Sequence, residues 1–123
     1  MVMTTDDANI IRVLARVFVD DIESALPLYR ELAGGAEPSR FAFRGVEVAQ
    51  VGPFALLSGD VAAYRDRVAT IHVRSLEPVV GALAANGGTV LDGPAPGPKG
   101  RRLVARHDDG SVFEYIEILA HAA

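Results

Sequence analysis

The sequence contains no cysteine. That excludes disulfides, thiolate metal ligands and a cysteine nucleophile, and it is compatible with the cytoplasm. Charge is sparse too: 23% of the 123 residues are charged, against 50% hydrophobic. This is the composition of a folded chain, long enough for one domain with a core of its own. The net charge is −4, and no basic stripe interleaved with aromatic residues occurs, which speaks against nucleic acid. No apolar run approaches the ~20 residues of a membrane span, and the opening "MVMTTDDANI" lacks a signal-peptide layout. The expectation is a soluble, cytoplasmic protein whose partners include neither membrane nor nucleic acid.

What is present is an internal repeat. "ARVFVDDIESALPLYRELAGG" (15–35) aligns without a gap on "ATIHVRSLEPVVGALAANGGT" (69–89). Ala15, Val17, Val19, Ile22, Glu23, Leu26, Tyr29 and Gly34 fall on Ala69, Ile71, Val73, Leu76, Glu77, Val80, Leu83 and Gly88. Each copy alternates with period two and then changes to helical spacing, so each opens strand–helix. Asp21 and Ser75 stand at the change, where a side-chain oxygen can accept from free helix N–H groups. The glycines at each end can take the left-handed conformation that stops a helix. Pro27, which lacks an N–H, is expected to bend or delay the first helix.

Short strand candidates follow each helix. "EPSRFAFR", "VEVAQV" and "FALLS" are punctuated by Gly45 and Gly52-Pro53. In the second half "TVLD" and "RRLVARH" lead through Asp109-Gly110 to "SVFEYIEI". Each half therefore reads βαβββ, an α+β arrangement of two tandem modules in a single domain, residues 1–123. Module one covers about 12–59, a connection about 60–67, and module two about 68–119. "DGPAPGPKGRR" reads as a stiff surface loop, a poor phosphate cradle because its prolines remove N–H donors.

Two βαβββ modules in so short a chain resemble the vicinal oxygen chelate superfamily, which includes glyoxalase I, bleomycin-resistance proteins and extradiol dioxygenases. "FVDDIESALPLYRELAG" and "DDGSVFEYIE" carry the resemblance most specifically, the latter being similar to the family's Asp-Pro-Asp-Gly-Asn…Glu-Leu ending. The resemblance implies curved sheets around a shared cleft, and a homodimer, sometimes with exchanged modules. In the enzymes a divalent metal is held by side chains projecting into that cleft.

Carried over by strand face, Ala15, Val17, Val19 and Ala69, Ile71, Val73 should pack on the helices. The opposite face then holds Leu14, Arg16 and Phe18 in one module and Val68, Thr70 and His72 in the other. The resemblance places the two metal-ligand histidines of glyoxalase-like members on Leu14 and Val68, neither of which can bind a metal. The ligand glutamate of the last strand falls on Glu114. A catalytic metal usually needs about three protein ligands and an open position. His72 lies two or more residues along the strand from the coordinating position, and each two-residue shift moves a side chain by roughly 6–7 Å. His107 and His121 add no ligand spacing. No metal or other cofactor is expected.

Glu114 and Glu117 must lie on opposite faces of their strand. Glu114, toward the cleft, cannot be buried alone, because desolvation costs several kcal/mol or raises its pKa. Its partner is Arg16, His72, an arginine of "GRRLVAR", or a ligand. Leu14, Leu56 and Val68 would form apolar walls, Phe18 a ring surface, and Arg16 a cation able to grip a carboxylate. Two functions follow. One is sequestration of a small, partly apolar organic molecule by Leu14, Arg16, Phe18, Leu56, Val68, Thr70, His72 and Glu114, as in bleomycin-resistance members. The other is a lyase, isomerase or dioxygenase-like reaction with Glu114 and His72 moving protons, on a relocated metal or none. A helper subunit with an emptied cleft is a third possibility.

Overall fold

The computed structural model describes residues 8–118. Residue 119 at the end of the second module and His121 lie outside the described residues. Eight strands and two α-helices run in the order β1 (Ile10–Phe18), α1 (Ile22–Leu32), β2 (Ser39–Phe43), β3 (Val46–Val51), β4 (Phe54–Gly59), β5 (Arg67–Val73), α2 (Glu77–Ala85), β6 (Thr89–Ala95), β7 (Arg102–Arg106) and β8 (Val112–Glu117). This is the α+β class, βαβββ twice. Two compact units divide the chain, Leu14–Thr70 and the residues from Ile71 onward with those before Leu14. The division falls inside β1 and β5, a few residues into each module's opening strand.

In the first module the strand order is β2-β3-β4-β1, with β1 parallel to β4 and the other pairs antiparallel. Asp21 caps α1 as its position predicts, Oδ2 accepting from the Ser24 N–H at 3.0 Å. Pro27 does not delay the helix, which runs through it from Ile22 to Leu32. The ring is on the exposed side, where the carbonyl left without an N–H can be hydrated. Ile22 and Leu26 of α1 pack on Ala49, Val51 and Leu56, with Val17 and Val19 beside them. Each such buried aliphatic side chain contributes about 1.5–3 kcal/mol. Ala15 shares that strand face but is exposed. A second apolar cluster, Leu14, Val46, Val48, Ala55, Leu57 and Val61, holds Phe18 and Tyr64. β4 thus buries both faces, which explains its nearly continuous apolar sequence, and β3 does so except at the exposed Glu47 and half-buried Gln50.

In the second module the order is β5-β8-β7-β6. Its core joins Ile71, Val73, Leu76, Val79, Leu83, Leu103, Ala105 and Tyr115. The start of α2 differs from expectation. Ser75 Oγ accepts weakly from the Glu77 N–H at 3.3 Å, but Leu76 occupies the capping position without a side-chain cap. The Leu76 N–H instead donates to Glu117 Oε2 at 3.0 Å, and Arg101 Nε to Glu117 Oε1 at 3.1 Å. The Arg101 bond, then the Leu76 N–H, holds the Glu117 carboxyl below its usual range. Glu117 is the carboxylate of the helix side.

The segment "DGPAPGPKGRR" is not wholly a loop, because Asp92–Ala95 continue β6. β6 is an edge strand, where Pro94 can sit without breaking a ladder between two neighbours. Pairing slips twice, between Val90, Asp92 and Ala95, and the Gly93-Pro94 bond is cis. Gly93 has φ +86, and a Cβ there would lie 2.5 Å from the Arg102 carbonyl oxygen. Gly93→Ala is therefore expected to cost at least about 2 kcal/mol, from the left-handed backbone and the displaced strand. Urea denaturation checks this; a loss under 0.5 kcal/mol, on the order of an ordinary surface change, would contradict it.

Candidate functional site

The alternation that sends Ile71 and Val73 into the α2 core leaves His72 on the other face of β5. Phe113 and Tyr115 face the helix, so Glu114 between them does not. Leu103 and Ala105 do the same for Arg102 and Val104 on β7. Register then lines up three strands: Glu114 lies opposite Val104, and Val104 opposite Asp92. Across this row Arg102 reaches both carboxylates. Its Nε donates to Glu114 Oε2 at 3.1 Å, and its terminal nitrogens lie 3.4 Å from Asp92 Oδ2. The guanidinium is nearly buried, with 7% of the side chain exposed, and Glu114 keeps 19%. The ion pair answers how Glu114 can be inside: an arginine of "GRRLVAR" holds it, as one of the sequence alternatives required.

His72 completes the row from β5. It is 5% exposed, and its Nε2 is buried without a hydrogen-bond partner. Burial, then the charges of Arg12 and Lys99, lower its pKa from 6.5 to about 4, and Glu114 offsets them only in part. At neutral pH the imidazole is uncharged. Arg12, Lys99, Arg102 and Asp92 were not singled out as site residues in the sequence. The hairpin through Asp109-Gly110 carried the signal for Arg102: its register sets Glu114 opposite Val104 and leaves Arg102 two residues on, facing the same way.

On the first module, Leu14, Arg16 and Phe18 share one face of β1, as expected. Arg16 Nη1 donates to the buried Thr70 hydroxyl at 3.0 Å, so this arginine and Thr70 do come together. Phe18 packs on the Leu14 cluster, and the Arg65 guanidinium lies 4.9 Å from its ring centre. Leu56 does not belong to this face. Paired with Val17, it packs under α1, and Ala55 and Leu57 take the wall position instead. The period-two rule moves Leu56 once β1 and β4 are seen to run parallel in this register. Val68 is 57% exposed and forms no wall of the Leu14 cluster.

The residues present do not fit the metal of the glyoxalase-like enzymes. Leu14, at one histidine position, is fully buried among Val46, Val48, Ala55, Leu57 and Val61. Val68 stands at the other. Glu114 is held by Arg102, whose charge opposes a nearby cation. Among the described residues no three of His, Asp or Glu gather as a metal would require. His107 is occupied elsewhere, stacked on Phe113 with ring centres 4.5 Å apart and bonded to the Tyr115 hydroxyl at 2.7 Å. Tyr29 packs edge-on against Phe54 in the α1 core, as a helix-core residue should.

A solved structure of an uncharacterised protein from Methanosarcina mazei superposes with a TM-score of 0.81. It is 37% identical, over 87% of this chain and 91% of that one. The chain belongs to one family with that protein. Methylmalonyl-CoA epimerases share the fold at lower identity. The Mycobacterium tuberculosis enzyme has a TM-score of 0.68 and 16% identity, over 100% of this chain and 97% of that one. A Streptomyces coelicolor epimerase, in complex with 2-nitronate-propionyl-CoA, has a TM-score of 0.62 and 19% identity, over 86% of this chain and 96% of that one. These likenesses show the fold expected from the repeat. No family model and no curated protein matches the sequence. Among the described residues no helix is long and apolar enough to cross a membrane.

Proposed function

We propose that this protein binds a small, partly apolar organic molecule against the His72–Glu114–Arg102 face of its second module, without a metal ion. The observation that carries the reading is the buried His72 Nε2 with no partner. An imidazole nitrogen left unmet inside a protein costs about 1–3 kcal/mol, which a ligand group meeting it would recover. Glu114 stands ready in the same row, fixed by Arg102 and still partly exposed. Val104 and Ile116, both buried, are the apolar neighbours of these polar groups on that face. A homodimer in the cytoplasm remains part of this proposal.

The physical chemistry favours binding over proton transfer. A general base works best with a pKa near the working pH, and a ring titrating at about 4 is a poor proton acceptor at neutrality.

The test is calorimetry with a library of small organic acids, amides and alcohols in the presence of EDTA. Molecules that bind the wild type should bind Glu114→Ala at least tenfold more weakly, while circular dichroism shows the fold intact. Unchanged affinity in that variant would remove Glu114 from the site.

A further inference from the structure

On its helix side the second module has a groove of about 450 Å³ beside α2. This is the face of the sheet opposite His72 and Glu114, and every lining residue belongs to one compact unit. Ile10, Pro78, Val79, Ala82 and Leu83 give the groove its apolar wall. Ile10 is half exposed, so apolar surface meets water here. Near the start of α2 the groove is bounded by Asn9, which exchanges hydrogen bonds with the Ser75 backbone at 2.9 and 3.0 Å. His107 and the Tyr115 hydroxyl, 2.7 Å apart, add an aromatic wall.

Charge in the groove is of one sign. Among the described residues that line it, Asp108 is the one carboxylate, and there is no lysine or arginine. Arg106, two residues before Asp108, points to the other face of the sheet, because Leu103 and Ala105 face the helix. The Asp108 carboxylate lies beside Gly87, where a Cβ would come within 2.7 Å of Oδ1. Gly87 follows the Asn86 cap of α2, so this carboxylate stands at the negative end of that helix. The Asn86 amide nitrogen donates to the Ala82 carbonyl at 2.8 Å, and its carbonyl oxygen is a further acceptor at this end.

We propose that the groove is a second binding site, which takes a primary amine with an apolar body. The ammonium lies beside Asp108 and the body along Val79, Ala82 and Leu83. The site is separate from the His72 face, and neither assignment depends on the other. Its volume is that of a small-molecule site, and apolar walls with a few placed polar groups are the usual lining. An organic acid would enter against the Asp108 charge and the negative end of α2. A neutral alcohol would cover the same apolar wall but leave that charge unused. An ammonium brings three N–H donors and the complementary charge. Asp108 is exposed, so the ion pair supplies selectivity and the apolar contact most of the affinity.

The probes are benzylamine, benzyl alcohol and benzoate at pH 7.5 and fixed ionic strength. The readout is the amide resonances of Gly87 and Asp108 in nitrogen-labelled protein. Benzylamine is expected to move both saturably in the millimolar range, the alcohol about threefold more weakly, and benzoate not at all. Asp108→Asn should weaken the amine about threefold, the scale of an exposed ion pair, and leave the alcohol unchanged. Ala82→Phe, an exposed helix position, should fill the groove and abolish both responses. Equal affinity for amine and alcohol in the wild type would overturn the amine assignment. Shifts that persist in Ala82→Phe, or no shift with any probe, would overturn the site. Resonances that move on dilution without a probe would show a second copy of the chain in the groove, which also overturns it.

Discussion

Acidification from pH 7.5 to pH 4 is expected to remove about 3 kcal/mol of folding stability through His72 alone. The folded ring titrates near 4, whereas an unfolded histidine titrates near 6.5. Between those values the unfolded chain takes up a proton that the folded chain refuses, so stability falls as pH falls through the window. Above pH 6.5 the contribution is complete. The groups that set the low value are burial, Arg12 and Lys99, opposed by Glu114. The lowered carboxylates Asp21, Asp109 and Glu117 act in the same direction but at lower pH, below their ordinary values of 3.8 to 4.5. Urea midpoints at pH 7.5, 5.5 and 4.5 separate the two. His72→Gln should flatten the upper part of the curve, and an unchanged slope would mean another group titrates there.

Arg102→Met is the second large effect. Methionine nearly fills the volume of the guanidinium's stem but removes the charge that pairs with the mostly buried Glu114 carboxylate. Breaking a buried pair from one side costs several kcal/mol, and allowing for the residual exposure of Glu114 the expected loss is about 2–4 kcal/mol. For a chain of this size that lowers the melting temperature by roughly 10 °C. Glu114→Gln in the same background should restore about 1–2 kcal/mol, because the stranded charge is gone. A single-variant loss under about 1 kcal/mol, within the range of exposed ion pairs, would show that the pair is solvated and does not organise the site.

Much of this was legible in the sequence because period and repeat speak directly about backbone. The gapless match of Ala15–Gly35 on Ala69–Thr89 gave both strand–helix openings, and Asp21 capped where its side chain could reach Ser24. Strand parity placed His72 and Glu114 on the face away from α2, and Glu117 on the other. What parity could not supply was register between strands distant in sequence. Leu56 changed sides for that reason: only the parallel pairing of β1 with β4 puts it beside Val17 and under the helix. The Gly93-Pro94 pair read as a loop because proline and glycine mark turns, yet an edge strand tolerates both. Arg12 and Lys99 carry no such signal in the sequence, because long side chains act at a distance from their own backbone. Their influence on His72 is a property of the assembled module.

In the proposed site an arginine-pinned glutamate and a neutral histidine meet an organic ligand without a metal ion. Elemental analysis tests that most directly. Untagged protein would be incubated with Ni, Zn, Fe(II), Mn and Mg in turn and then desalted. Metal content far below one ion per chain is the predicted result, with the same value for Glu114→Ala. Near-stoichiometric retention in the wild type, lost in Glu114→Ala, would contradict the account and make Glu114 a metal ligand.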